Sequence, residues 1–156
     1  MKELCYKGKN ITIYVISKLE ADMYKFDFKY ISITIGTDEN IKLSDDKNRV
    51  DRLDLLFDDL DTTKYNDKDL TSFYKEYKEC KPKLFNKDMA IKILEFVDKY
   101  KGLTIVVNCE AGVSRSAGVG AALSKIYNND DNWFFKNRCP NILVYRTILN
   151  KYYEEI

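Results

Sequence analysis

The run Leu103-Thr104-Ile105-Val106-Val107 constrains this chain more than any other stretch. It has the length of a strand, is almost wholly apolar, and stands between two helical patterns. A strand with one wet face alternates apolar with polar residues. A run without alternation fits a strand covered on both faces, which is the middle of a sheet carrying helices. Before it, Ala90, Ile93, Leu94 and Val97 form a stripe at helical spacing, with Asn86 or Asp88 able to cap its start and Gly102 able to end it. After it, Ser116 to Tyr127 reads as a helix rich in Ala, Gly, Val and Leu. Gly118 and Gly120 cost that helix about 1 kcal/mol each relative to Ala, which close packing on the sheet or on the preceding loop would explain.

The remaining patterns agree with this frame. Ile11 to Ile16 is apolar and β-branched, Tyr30 to Ile35 alternates with period two and ends at Gly36, and Arg52 to Phe57 is a third strand candidate. Asp38 to Asn48 is polar and reads as a loop, and Asn128 to Asn132 as a turn. Residues 61 to 86 are too many for a structureless loop in a compact domain; Leu70, Phe73, Tyr74 and Tyr77 predict a short amphipathic helix within them. Asn141 to Glu155 supplies a last helix with Ile142, Tyr145, Ile148, Leu149 and Tyr152 on one side. Together these give one α/β domain over residues 1–156, a central, mainly parallel sheet flanked by helices.

Composition excludes several kinds of chemistry. The chain has no histidine, so no Ser-His-Asp triad, Cys-His pair or His-ligated metal can be built. Any general acid or base is a carboxylate, Lys, Tyr or Cys. Its 26 basic and 25 acidic residues nearly cancel, which gives no broad electrostatic footprint for nucleic acid or an anionic membrane. No apolar run approaches the roughly 20 residues of a membrane span, and Met1 to Cys5 lacks the design of a secretory signal. A cytoplasmic, monomeric protein is the expectation. Cys5, Cys80, Cys109 and Cys139 are scattered without metal or disulfide spacing, and neither metal nor cofactor is expected.

Between the buried strand and the Gly/Ala-rich helix lies Asn108-Cys109-Glu110-Ala111-Gly112-Val113-Ser114-Arg115-Ser116. A strand-loop-helix junction turns successive backbone N–H groups and a helix N-terminus toward one spot, which favours a bound anion. Glu110, Ala111, Gly112, Val113, Ser114 and Arg115 would form this cradle, with Cys109 at its base. The potential that holds a phosphate also favours a nucleophilic thiolate. The planar fork of Arg115 can hold two phosphoryl oxygens into the transition state, and Gly112 lets the chain turn without a Cβ in the way. A bare Cys-x5-Arg is a weak signal, arising by chance about once in eight such chains; the added Gly, Ser and strand-loop-helix context make it a strong one.

Cys109-Glu110-Ala111-Gly112-Val113-Ser114-Arg115-Ser116 resembles the Cys-x-x-Gly-x-x-Arg-Ser/Thr signature of the protein tyrosine phosphatase superfamily, and its Gly-Val-Ser-Arg-Ser ending is similar to the small dual-specificity branch. The order of elements agrees over roughly residues 10 to 156. The resemblance implies hydrolysis of phosphoproteins through a phosphocysteine on Cys109, of phosphotyrosine at least, with phosphoserine and phosphothreonine as further candidate substrates. It also implies that an Asp on a loop after an upstream strand protonates the leaving group and then activates water. Leu55-Leu56-Phe57-Asp58-Asp59 has that layout and places the acid at Asp59, with Asp58 second and Asp61 third. Ser116 matches a hydroxyl that bonds the Cys sulfur and helps it leave.

Two departures stand out. The family usually has His before the Cys, where it helps to organise the loop and favour the thiolate; here Asn108 stands there, and slower chemistry is the expectation. The segment from Asp61 to Asn86 is longer than in compact members. Lys47-Asn48-Arg49 echoes a phosphotyrosine-loop motif of larger relatives, but at the wrong position. The alternatives are a phosphate-binding protein without turnover, or the same loop used on a phosphoinositide or an RNA 5′-phosphate. Glu110 and the lack of Lys in the loop disfavour a multiply charged headgroup, and a rhodanese-like sulfur transferase is more remote.

Overall fold

The structure, a computed structural model, describes residues 3–37, 41–64 and 82–154. Among the described residues five strands form one sheet: β1 (Cys5–Lys7), β2 (Thr12–Ser17), β3 (Tyr30–Gly36), β4 (Arg49–Leu56) and β5 (Thr104–Cys109). Their order is β1-β2-β5-β3-β4, with β1 antiparallel to β2 and every other pair parallel. The apolar run is the middle strand, as its sequence requires. Ile105, Val107 and Cys109 face one side and Val106 the other, and each is buried. β4 begins three residues before the predicted strand because it is an edge, where Arg49 and Asp51 stay half exposed.

The helices are α1 (Lys18–Met23), α2 (Lys87–Lys99), α3 (Arg115–Asn128), α4 (Asn132–Asn137) and α5 (Ile142–Glu154). One face of the sheet packs with α2, α3 and α5 in a core that includes Ile93, Val97, Ala121, Leu123, Val144 and Ile148. The other face is covered by α1 through Ala21 and by a cluster of Tyr14, Phe26, Phe28 and Tyr30. Asn86, not Asp88, caps α2, its side chain accepting from the Met89 N–H at 3.0 Å. Asn129 takes a left-handed φ of 57° and ends α3, which makes the turn into α4.

α3 is buried along nearly its whole first three turns, and its glycines have the packing reason expected of them. A Cβ on Gly118 would lie 2.7 Å from the Asn141 carbonyl oxygen, and one on Gly120 would lie 2.8 Å from the Phe134 ring. β1, α1 and α4 have no counterpart among the predicted elements, being three to six residues long. α1 does carry a legible signal: Ser17 and Glu20 form a reciprocal capping box. The predicted helix over Leu70 to Tyr77 lies outside the described residues, as does Cys80. No helix among the described residues is long and apolar enough to cross a membrane.

Candidate active site

β5 delivers Cys109 at its C-terminal end, and α3 begins at Arg115. The Cys109 side chain is almost fully buried; its Sγ lies 3.1 Å from Ser116 Oγ and accepts the Gly112 N–H at 3.3 Å. Gly112 has φ 71°, and a Cβ there would fall 2.4 Å from the Ile16 carbonyl carbon. Both the left-handed backbone and the close approach to β2 therefore require glycine.

The loop is braced from outside. The Glu110 carbonyl accepts from the Lys18 N–H at 3.2 Å, Val113 from Cys139 at 3.0 Å, and Ser114 from Gly118 at 2.9 Å and Asn141 at 3.0 Å. In a trans peptide the carbonyl of one residue and the N–H of the next point in opposite directions. Bonding these three carbonyls outward thus turns the N–H groups of Ala111, Ser114 and Arg115 toward the loop interior, at the head of a 14-residue helix. Such an arrangement can hold an anion on backbone groups alone.

Arg115 is 7% exposed. Its Nη1 donates to the Phe57 carbonyl at 2.9 Å and to Thr37 Oγ1 at 3.1 Å, which fixes one corner of the guanidinium. Nε is buried and has no partner. A guanidinium held by one nitrogen with a buried donor left over is poised for an oxyanion, because an unmet buried donor costs roughly 1–3 kcal/mol.

The three candidate acids separate clearly. Asp58 is turned to the segment at Lys83: its Oδ2 accepts the Lys83 N–H at 2.6 Å and its own N–H donates to the Lys83 carbonyl. Asp61 is buried and caps α5, accepting the Ile142 N–H at 2.8 Å together with the Thr63 N–H and hydroxyl. Asp59 alone reaches the loop. Its Oδ1 accepts from Ser114 Oγ at 2.8 Å and from Asn141 Nδ2 at 3.0 Å. With both donors on Oδ1, a proton on this carboxyl is directed to Oδ2.

Burial alone would raise the Asp61 carboxyl, but the hydrogen bonds from Thr63 and Ile142 outweigh it and hold the group below its ordinary value. A carboxyl depressed in the folded state stabilises the protein above the unfolded value near 4, and that stability is lost as pH falls through the folded value. Asp61→Asn is expected to lower stability by about 1–2 kcal/mol at pH 7. Denaturant titrations at several pH values should show the gap closing as pH falls below the ordinary carboxylate value near 4.

Asn141 and Thr37 are the residues that sequence reasoning missed. Asn141 begins the predicted last helix, and its Oδ1 does cap it, accepting the Val144 N–H at 3.2 Å. Its contact with Asp59 spans 82 positions and leaves no local signal. Asn108 is buried on β5 and faces away from Cys109, opposite Thr34 on β3. Its carboxamide makes no hydrogen bond among the described residues, so it does not replace the donor that a ring at this position would supply. Lys47-Asn48-Arg49 lies at the N-terminal end of β4, the opposite end of the sheet from Cys109. Cys139 is exposed.

No protein-family model matches the sequence, and no curated protein resembles it closely enough to count as a match. Solved structures do resemble it. Tk-PTP, solved in its active form, is 14% identical with a TM-score of 0.58, each chain covered over 100% of its length. PTPMT1, solved in complex with PI(5)P, is 16% identical with a TM-score of 0.57, over 97% of this chain and 96% of that one. The parallel sheet with Cys109 at the end of its middle strand, the helix that opens at Arg115 and these two likenesses agree: the chain has the protein tyrosine phosphatase fold in its dual-specificity-like form.

Proposed function

We propose that the protein is a cysteine-dependent phosphatase that hydrolyses phosphate monoesters on proteins, phosphotyrosine foremost. What supports this reading is one loop that carries a buried Cys109 sulfur accepting the Gly112 N–H, an unpartnered Nε on Arg115, and the Asp59 carboxyl bonded to its Ser114. In the first step the Cys109 thiolate attacks phosphorus in line. The bond to the leaving oxygen breaks as Asp59 gives that oxygen its proton. In the second step Asp59, now a carboxylate, takes a proton from water, whose oxygen attacks phosphorus and displaces Cys109 as thiolate. The Ser116 hydroxyl, 3.1 Å from Sγ, stabilises the departing sulfur. Arg115 and the cradle N–H groups follow the equatorial oxygens through both transition states.

A phosphoinositide reading draws on PTPMT1, solved with PI(5)P. The loop carries an exposed Glu110 and no Lys, and Asp59 is bonded to its Ser114, which disfavours a multiply charged headgroup. Comparing kcat/KM for phosphotyrosine peptides with that for a phosphoinositide in mixed micelles decides between them. A higher value for the lipid would overturn the protein reading.

Asp59→Asn is expected to lower kcat for para-nitrophenyl phosphate by about 10²-fold, within the range for loss of a positioned acid. The loss should be larger for phenyl phosphate, whose leaving oxygen needs the proton more. An equal loss on both esters would assign Asp59 a structural part only.

A further inference from the structure

Asp59 is an exposed side chain on a loop. An exposed carboxylate turns about its own bonds unless something holds it, and a turning acid meets the leaving oxygen only part of the time. Asp59 is held at one oxygen. Its Oδ1 accepts from Ser114 Oγ at 2.8 Å and from Asn141 Nδ2 at 3.0 Å, which leaves Oδ2 to carry the proton.

The two donors differ in kind. Ser114 belongs to the loop that binds the phosphoryl group, and it stands at the start of α3 without capping it, its hydroxyl going to Asp59 instead. Asn141 lies outside that loop, is 2% exposed, and has every polar atom engaged. Its N–H donates to the Ser114 carbonyl at 3.0 Å, and its carbonyl accepts the Tyr145 N–H at 3.1 Å. Its Oδ1 accepts the Val144 N–H at 3.2 Å and so caps α5. That cap decides which way the carboxamide faces: with Oδ1 fixed on α5, Nδ2 is the atom turned to Asp59. A bare cap would not need this residue, since Ser and Asp cap a helix as well as Asn does. Ionised Asp has no proton to donate, and the Ser side chain is one atom shorter.

We propose that Asn141 is a positioning residue for the acid: the cap of α5 aims its carboxamide, and the carboxamide holds Asp59 with the Oδ2 proton toward the leaving oxygen. This role rests on the reading of Asp59 as the acid.

Asn141→Ser tests it, because a hydroxyl keeps the cap and loses the reach to Asp59. kcat is expected to fall about tenfold for phenyl phosphate and less than about threefold for para-nitrophenyl phosphate, whose leaving oxygen needs the proton less. KM should stay within about twofold of wild type on both esters. In an Asp59→Asn background the same substitution should change kcat by less than about twofold, since it acts only through the acid. Asn141→Asp keeps both volume and cap, and serves if Asn141→Ser folds poorly. Its carboxylate would face Asp59 Oδ1, and the pair would hold one proton between the facing oxygens rather than on Oδ2. Here too the loss should be larger on phenyl phosphate. Unchanged kcat on phenyl phosphate, an equal loss on both esters, or a loss that persists in the Asp59→Asn background would leave Asn141 a helix cap only and overturn the proposal. Failure of the phosphatase reading itself looks different: wild type would turn over neither ester, or Cys109→Ser would keep the wild-type rate, and the role of Asn141 would fall with it.

Discussion

Cys109→Ser is expected to abolish hydrolysis of para-nitrophenyl phosphate, by about 10⁴-fold or more in kcat. A serine hydroxyl is not appreciably ionised at neutral pH, and no histidine exists anywhere in the chain to take its proton. The loss would be chemical rather than structural. The side chain sits buried beside Ser116 Oγ and the Gly112 N–H, and a hydroxyl can keep both contacts. The cradle is held by carbonyls bonded to Lys18, Cys139, Gly118 and Asn141, none of which involves the sulfur. Tm should therefore stay within a few degrees of wild type, and binding of inorganic phosphate should persist. A variant that binds phosphate and does not turn over separates loss of the nucleophile from loss of the site.

Arg115→Lys is expected to lower kcat/KM by about 10²–10³-fold, although the charge is kept. The wild-type guanidinium does two things at once. Nη1 is committed to the Phe57 carbonyl and Thr37 Oγ1, while Nε and the edge it belongs to are left for the phosphoryl group. One ammonium can serve the Phe57 carbonyl or the phosphate, not both in the same geometry. The loss should appear in kcat as well as in KM, since the fork holds the equatorial oxygens most tightly in the transition state. A second consequence follows from where Phe57 stands, two residues before Asp59. Releasing the Phe57 carbonyl loosens the segment that presents the acid. Arg115→Lys combined with Asp59→Asn should then lose less than the product of the single losses. Full multiplicativity would mean that the two residues act separately.

The parts of this site legible in the sequence are those whose signal is local. The unalternating run Leu103 to Val107 specified a middle strand, and the residues from Cys109 to Arg115 specified what its end could hold. Asp59 could not be told from Asp58 and Asp61 in that way, because three carboxylates within four positions share one local pattern. The choice depends on Ser114 and Asn141, which lie 55 and 82 positions away, and on Ile142 drawing Asp61 into a cap. Asn108 stands where the family usually has His, and its place next to Thr34, with no hydrogen bond to its carboxamide among the described residues, depends on pairing with a strand more than 70 positions away. α1 escaped periodicity because six residues make under two turns, although its capping box was visible in Ser17 and Glu20. The likeness to Tk-PTP and PTPMT1 emerged only in three dimensions, at 14% and 16% identity.

The most direct measurement is to trap the intermediate. Wild-type protein and Asp59→Asn, mixed with excess para-nitrophenyl phosphate, are quenched in acid within milliseconds to seconds, digested and read by mass spectrometry. The account predicts one phosphoryl group on the peptide that contains Cys109, accumulating further in Asp59→Asn because the activation of water is slowed. Turnover with that peptide unmodified at every quench time, or with the phosphoryl group on another residue, would contradict it.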